Sequence, residues 1–297
     1  MDPQNTLHLK IAQQKKSAVK SAKSPGTSRS KGDLVDWVSL VPSMRKRPEP
    51  LDFVLPGLLA GTVGALVGPG AVGKTMLALQ AAVTVAGGAD TLGLASMDSE
   101  WRCKTGKVVF LNVEDPEIVL VHRIHAIGQR LNSAEKETVA KNLFVTSLFG
   151  SRVDLMAAKW RRWIADAIQG ARLIVIDALR RFHSLDESSS HMADLLAYLE
   201  HLCRKEDAAL LFLECPSTWG EVLASRVGFQ ASLVDMTPKE ARRFGLDESR
   251  CRNFVKLLLP TSASDRWLCR HDGGVLGPVA CPSYYRQLSG RRMRQEV

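Results

Sequence analysis

At 297 residues, with 45% apolar and 24% charged residues, the chain has room for one large domain or two small ones and the composition of an ordinary globular protein. Its formal net charge of +9 sits at the ends: residues 1–32 hold seven Lys/Arg against one acid, residues 280–297 hold four against one, and the stretch between is balanced. No apolar run approaches the ~20 residues of a membrane span, which excludes a membrane partner of that kind. The six cysteines contain no C-x-x-C pair, which argues against a metal knuckle or disulfide framework and for a reducing, cytoplasmic setting.

Residues 1–49 are rich in Ser, Lys and Gln and read as a flexible basic arm, open to solubilising, nucleic-acid-binding or targeting use. A globular region over residues 50–279 follows, and residues 280–297 form a basic tail. Within the globular region an apolar run, Thr62–Val67, predicts a strand. It leads into Gly68-Pro-Gly70-Ala-Val-Gly73-Lys74-Thr75, which fits G-x-x-x-x-G-K-[ST], and an alanine-rich helical pattern runs from Met76 to about Ala86. Strand, glycine loop and helix in that order make a phosphate cradle. Gly68, Gly70 and Gly73 let backbone N–H groups converge on the anion, and the helix adds its positive end. Lys74 is expected to reach the β- and γ-phosphates of ATP and the Thr75 hydroxyl to ligate Mg²⁺, with Met76 as the next residue of the nucleotide site.

A polar insertion, about 89–106, separates this unit from a buried strand, Lys107–Val113. A helix is predicted over Glu117–Leu131, and Ser133 with Glu135–Glu137 reads as the cap of another. Apolar strands follow at Leu143–Thr146, Leu173–Ile176 and Ala209–Leu213, separated by helices at about Lys159–Gln169 and His191–Lys205. Phe254–Leu259 and Trp267–Arg270 read as late strands, with Asp272-Gly273-Gly274 as a hairpin turn. Alternating strands and helices predict an α/β fold with a mostly parallel, helix-covered sheet that antiparallel C-terminal hairpins extend.

Two acids stand at strand ends. Asp177 closes Leu173-Ile-Val-Ile-Asp and would take the Walker B position beside the phosphate loop, ordering Mg²⁺; the alternative is a cap on the next segment. Glu114 closes the 107–113 strand. It is placed either to orient the attacking water or, with Asp115-Pro116, to cap a helix. His122 and His125 lack a third ligand, so no metal site is expected there. Arg180-Arg181-Phe182-His183 could meet phosphate, a neighbouring subunit or solvent.

Four blocks, LDFVLPGLLAGTVGALVGPGAVGKTMLALQ, VEDPEIVLVHRIHAIGQRL, LIVIDALRRFH and DRWLCRHDGGVLGPV, give residues 51–279 a resemblance to the RepA-type hexameric replicative helicases of broad-host-range plasmids. These belong to the RecA/DnaB-like branch of P-loop ATPases. The resemblance implies a RecA-like P-loop fold, ATP and Mg²⁺ as cofactors, single-stranded DNA as partner and a ring of six copies. It puts the catalytic base on Glu114 and the Walker B carboxylate on Asp177. The chain also departs from the family. Where the family has a γ-phosphate-sensing His pair, Leu210–Leu213 runs into Glu214-Cys215-Pro216. The DNA-contacting loop shrinks to the few residues of 217–222. The arginine-finger position falls on Gly228, with Arg226 two residues away and its role as a substitute open, and Leu258-Leu259-Pro260-Thr261 replaces a Lys/Asn turn. Two readings follow: an ATP-driven motor, or an ATP-binding, DNA-associated regulator with weak hydrolysis.

Overall fold

The computed structural model describes residues 38–96, 101–183, 191–216, 226–259 and 266–279. Most of the arm, the 217–222 loop and the 280–297 tail lie outside the described residues. The chain divides into two compact units, Met1–Leu51 and Asp52–Val297. The first holds one described helix, α1 (Leu40–Arg45), with no buried residue.

The second unit opens with a small antiparallel hairpin of β1 (Phe53–Leu55) and β2 (Leu58–Leu59). The main chain order is then β3 (Val63–Val67), α2 (Lys74–Gly87), β4 (Lys107–Asn112), α3 (Glu117–Gly128), α4 (Ser133–Asn142) and β5 (Leu143–Ser147). It continues through α5 (Ala158–Ala167), β6 (Ala171–Asp177), α6 (His191–Glu206), β7 (Ala209–Glu214), β8 (Phe229–Asp235) and α7 (Pro238–Arg243) to β9 (Phe254–Leu258), β10 (Arg266–Arg270) and β11 (Leu276–Pro278). Among the described residues nine strands make one sheet, in the order β11-β10-β9-β8-β3-β7-β6-β4-β5. From β8 to β5 every pairing is parallel, and β9, β10 and β11 add on antiparallel. This is an α/β architecture with a mostly parallel, helix-flanked sheet that antiparallel C-terminal strands extend. No described helix is long and apolar enough to cross a membrane.

Strand parity organises the core. On β6 the side chains of Leu173 and Val175 join the layer under α2, while Ile174 and Ile176 join the layer under α5 and α6. On β7 Leu211 and Leu213 go to the first layer, and Leu210 and Phe212 to the second. Burial on both faces explains why these strands read as continuous apolar runs and not as alternations. Helix α2 lies so deep that eleven consecutive residues, Met76–Ala86, are buried. Its two buried polar side chains are satisfied: Gln80 donates to Leu276 O at 2.7 Å and accepts from Leu276 N at 2.8 Å, and Thr84 donates to the Gln80 and Ala89 carbonyls. The helix stops at Gly88, which is left-handed at φ 79° and donates to Thr84 O.

The structure corrects several sequence expectations. The cap of α4 is Asn132, not Ser133, because a capping box needs the acid three residues on. Asn132 has Glu135 there, whereas Ser133 has Lys136. Helix α3 ends at Gly128, short of Leu131. The polar insertion holds buried Leu92, Leu94 and Trp101, and the Trp101 indole donates to Phe53 O at 3.1 Å. Strand β8 escapes the apolar-run criterion since only its alternate residues Phe229, Ala231 and Leu233 are buried. It nevertheless sits mid-sheet, beside β3.

Candidate nucleotide site

The phosphate loop, residues 68–75, joins the carboxyl end of β3 to α2. Gly68 has β8 pressed against it: a Cβ there would overlap the Leu233 carbonyl oxygen. Gly73, the N-cap of α2, turns the chain at φ 107° and offers no capping side chain, so the first-turn N–H groups face the loop. Between them Ala71 holds the left-handed region at φ 62°, a conformation costing about 1 kcal/mol outside glycine and tolerated mainly where the loop shape matters. Arg270 steadies the loop from behind, donating to the Val72 carbonyl and to Asp235 Oδ1, each at 2.7 Å. Lys74 Nζ folds back onto the loop carbonyls of Gly68 and Pro69, at 2.7 and 2.9 Å. Met76 is buried in the first turn of α2.

Thr75 Oγ1 donates to Asp177 Oδ2 at 2.7 Å, and Asn112 Nδ2 donates to the same oxygen at 2.9 Å. Thr75 and Asp177 are therefore in direct contact beside the phosphate loop, and Asp177 does not cap the turn that follows, whose N-cap is Ala178. Asn112, at the end of β4, went unrecognised in the sequence, although an amide closing the apolar run KVVFLN is a visible signal. Asp177 is 1% exposed, and its two described partners are neutral. Burial, with the nearby charges of Glu114 and Asp115, pushes its carboxyl up to about 6 against the opposing bonds from Thr75 and Asn112.

Glu114 follows β4 at the same edge. It does not cap α3, whose N-cap is Pro116. Its Oε1 lies 3.1 Å from Arg180 Nη2 and 3.7 Å from Arg181 Nε. The adjacent Asp115 pairs with Arg123 at 3.2 Å, and its amide donates to Asn112 Oδ1 at 2.7 Å. Two of three clustered carboxylates are thus paired with arginines, and Asp177 has no cationic partner among the described residues.

Glu214 turns away from the phosphate loop. It continues the parity of Leu210 and Phe212, so its side chain lies on the sheet face opposite α2. There Oε1 accepts the Arg180 backbone N–H at 2.8 Å and Oε2 the Cys215 N–H at 3.3 Å. Burial pushes its carboxyl above the usual range, opposed by these bonds. The side chain that faces the loop is Cys215, whose Sγ lies 3.7 Å from Lys74 Nζ. Sequence adjacency to the strand end singled out Glu214; only alternation along β7 separates the two.

Arg226 is not brought to this site. It precedes Phe229, which pairs with Gly64 at the start of β3, whereas the phosphate loop leaves the far end of that strand after Val67. Gly228 is exposed beside it. His122 and His125 remain exposed on α3.

Two observations fit a Mg²⁺–ATP complex: a loop whose glycine at 68 admits no Cβ, and a buried carboxylate bonded to the loop threonine with no charged partner among the described residues. The model of the AAA domain family (AAA_25) matches residues 32–214, more than half of the chain. Among solved structures, the crystal structure of the RadB recombinase is similar at a TM-score of 0.48 and 16% identity, over 75% of this chain and 93% of that one. With its phosphate loop and strand-end acids inside the matched span, this is an ATP-binding protein, and the chain belongs to the AAA domain family.

Proposed function

We propose that the protein binds ATP with Mg²⁺ and hydrolyses it, with Glu114 as base, while associated with single-stranded DNA and further copies of itself, in the manner of the plasmid replicative helicases it resembles. The observation that carries this reading is the Thr75–Asp177 bond at 2.7 Å beside a lysine-bearing glycine loop. Thr75 and Asp177 would hold Mg²⁺, which supplies countercharge to the phosphate oxygens. Lys74 exchanges its two loop carbonyls for phosphate oxygens. The first-turn N–H groups of α2 hold the bridging phosphates, with Met76 against the nucleotide. Glu114 orients a water and takes its proton. Arg226, at the opposite end of the parallel strands, could act only on a neighbouring copy's site. The basic arm over residues 1–49 supplies DNA-phosphate contacts outside the 50–279 ATPase domain, and residues 280–297 are a second basic tail.

A second reading, a DNA-associated regulator that hydrolyses slowly, is favoured by one observation. Glu214 and Cys215 stand at the end of β7, and neither is a neutral polar group that could both donate to a γ-phosphate and signal onward. ATP turnover of the full chain with and without single-stranded DNA separates the two. Stimulation that Lys74→Ala abolishes supports the motor. Tight ATP binding with turnover indifferent to DNA rejects it and leaves the regulator.

A further inference from the structure

Glu214, Arg180 and Glu114 form a continuous polar chain across the ends of β7, β6 and β4. At one end Glu214 is 3% exposed and has both carboxylate oxygens engaged, one of them by the Arg180 N–H at 2.8 Å. In the middle, the turn carrying Arg180 is anchored by its neighbours. Leu179 and Phe182 on either side are fully buried, and Phe182 N donates to Leu179 O at 2.8 Å. From this fixed backbone the Arg180 side chain, 44% exposed, reaches outward to Glu114 Oε1 at 3.1 Å. Bonding to Glu114, against a smaller burial effect, holds the guanidinium further into its charged range.

Electrostatics gives the pairing a purpose. Glu114, Asp115 and Asp177 crowd one edge, and unopposed they would repel each other and splay. Asp115 has Arg123 and Glu114 has Arg180 with Arg181 farther off, so Glu114 is held in one orientation while Asp177 has no cationic partner among the described residues. The arrangement also accounts for a carboxylate at 214: a neutral side chain there would bond the Arg180 amide more weakly than a charged acceptor does.

We propose that Arg180 is a positioning residue that sets the orientation of Glu114 for ATP hydrolysis, and that Glu214 acts one step behind it by fixing the Arg180 turn. The proposal rests on the reading of Glu114 as the hydrolytic base. Neither residue needs to touch the nucleotide.

The test measures steady-state ATP turnover and, separately, equilibrium binding of a methylanthraniloyl-labelled ATP by the full chain. Arg180→Ala should lower kcat by about tenfold to a hundredfold, the loss typical of a misplaced catalytic group, with labelled-ATP affinity held within roughly threefold. Arg180→Lys should restore part of the rate, and Glu214→Ala should lower kcat less than Arg180→Ala does. In a Glu114→Gln background, adding Arg180→Ala should change kcat by less than about twofold, because the residue through which it acts is gone. An unchanged or raised kcat in Arg180→Ala, or losses that multiply in the double variant, overturns the proposal while Glu114 keeps its role. Should Glu114→Gln turn over ATP like the wild type, or the wild type not turn it over, the underlying reading fails and the relay goes with it.

Discussion

The Thr75 hydroxyl and the Asp177 carboxylate meet at 2.7 Å although 102 residues separate them, joining the first turn of α2 to the end of β6. The contact exists because β3 and β6 run parallel with only β7 between them, so the loop leaving one and the acid ending the other emerge at the same edge. Strand parity then selects the face. Leu173 and Val175 point under α2, and Asp177, two residues on, does the same.

That burial makes the Asp177 charge a liability to the fold. Its carboxyl is pushed up to about 6 from an ordinary 3.8, so the folded chain holds a proton that the unfolded chain has already released between those values. Stability from this group is therefore lost as pH rises from 3.8 through 6. Asp177→Asn should stabilise the protein by roughly 1–3 kcal/mol at pH 7 and by nothing measurable below pH 3.8, read from denaturant unfolding at both pH values. A variant no more stable at pH 7 than at low pH would contradict the assignment.

Asp52 should show the opposite slope. Arg172 grips both its oxygens at 2.8 and 2.9 Å, and that pairing, with Lys104, holds the carboxyl down at about 2 against an ordinary 3.8. Its contribution is complete above 3.8 and disappears as pH falls through 2. Because the pair is partly exposed, Asp52→Asn should cost only about 1 kcal/mol at pH 7. The same unfolding series should show that cost vanishing at the acid end.

The first two loop glycines should part company. Gly68→Ala drives a methyl into the Leu233 carbonyl, a backbone atom that cannot swing aside, and should destabilise by about 1–3 kcal/mol. Gly70→Ala meets nothing within 4 Å and should leave the melting temperature within roughly 2 °C of the wild type. Differential scanning calorimetry of both variants tests the contrast, and equal losses would mean that β8 does not press on the loop.

Gln80 offers a packing test remote from the nucleotide. Its amide satisfies both the N–H and the C=O of Leu276, tying β11 to α2 in a fully buried place. Gln80→Leu keeps the volume but orphans both backbone groups, and should cost about 2–4 kcal/mol in urea unfolding. A loss below about 0.5 kcal/mol would show that the antiparallel extension is not anchored there.

Much of this site was legible in the residues themselves. Gly68, Gly73, Lys74 and Thr75 announce a phosphate loop because no side chain fits at 68, glycine turns freely at 73, and that spacing puts lysine and threonine at a helix start. The runs ending in Glu114 and Asp177 announce strand-end acids because a doubly covered strand must be apolar until it surfaces. Local chemistry decides such features, so local sequence reveals them. β8 was hidden for the converse reason: its alternation over Phe229, Ala231 and Leu233 is too short to stand out, and its place beside β3 depends on partners elsewhere in the chain.

Direction was the other thing no motif carried. Whether Glu214 or Cys215 meets Lys74 depends on which face of β7 lies under α2, and that depends on how the whole sheet is ordered. The Arg180 paired with Glu114, and the Arg270 brace behind Val72, likewise come from segments remote in sequence. Composition and spacing determined what kind of anion this chain can hold, since those follow from backbone freedom and charge within a few residues. Tertiary structure alone decided which side chains crowd around it, because ion pairs and buried carboxylates are properties of proximity in space.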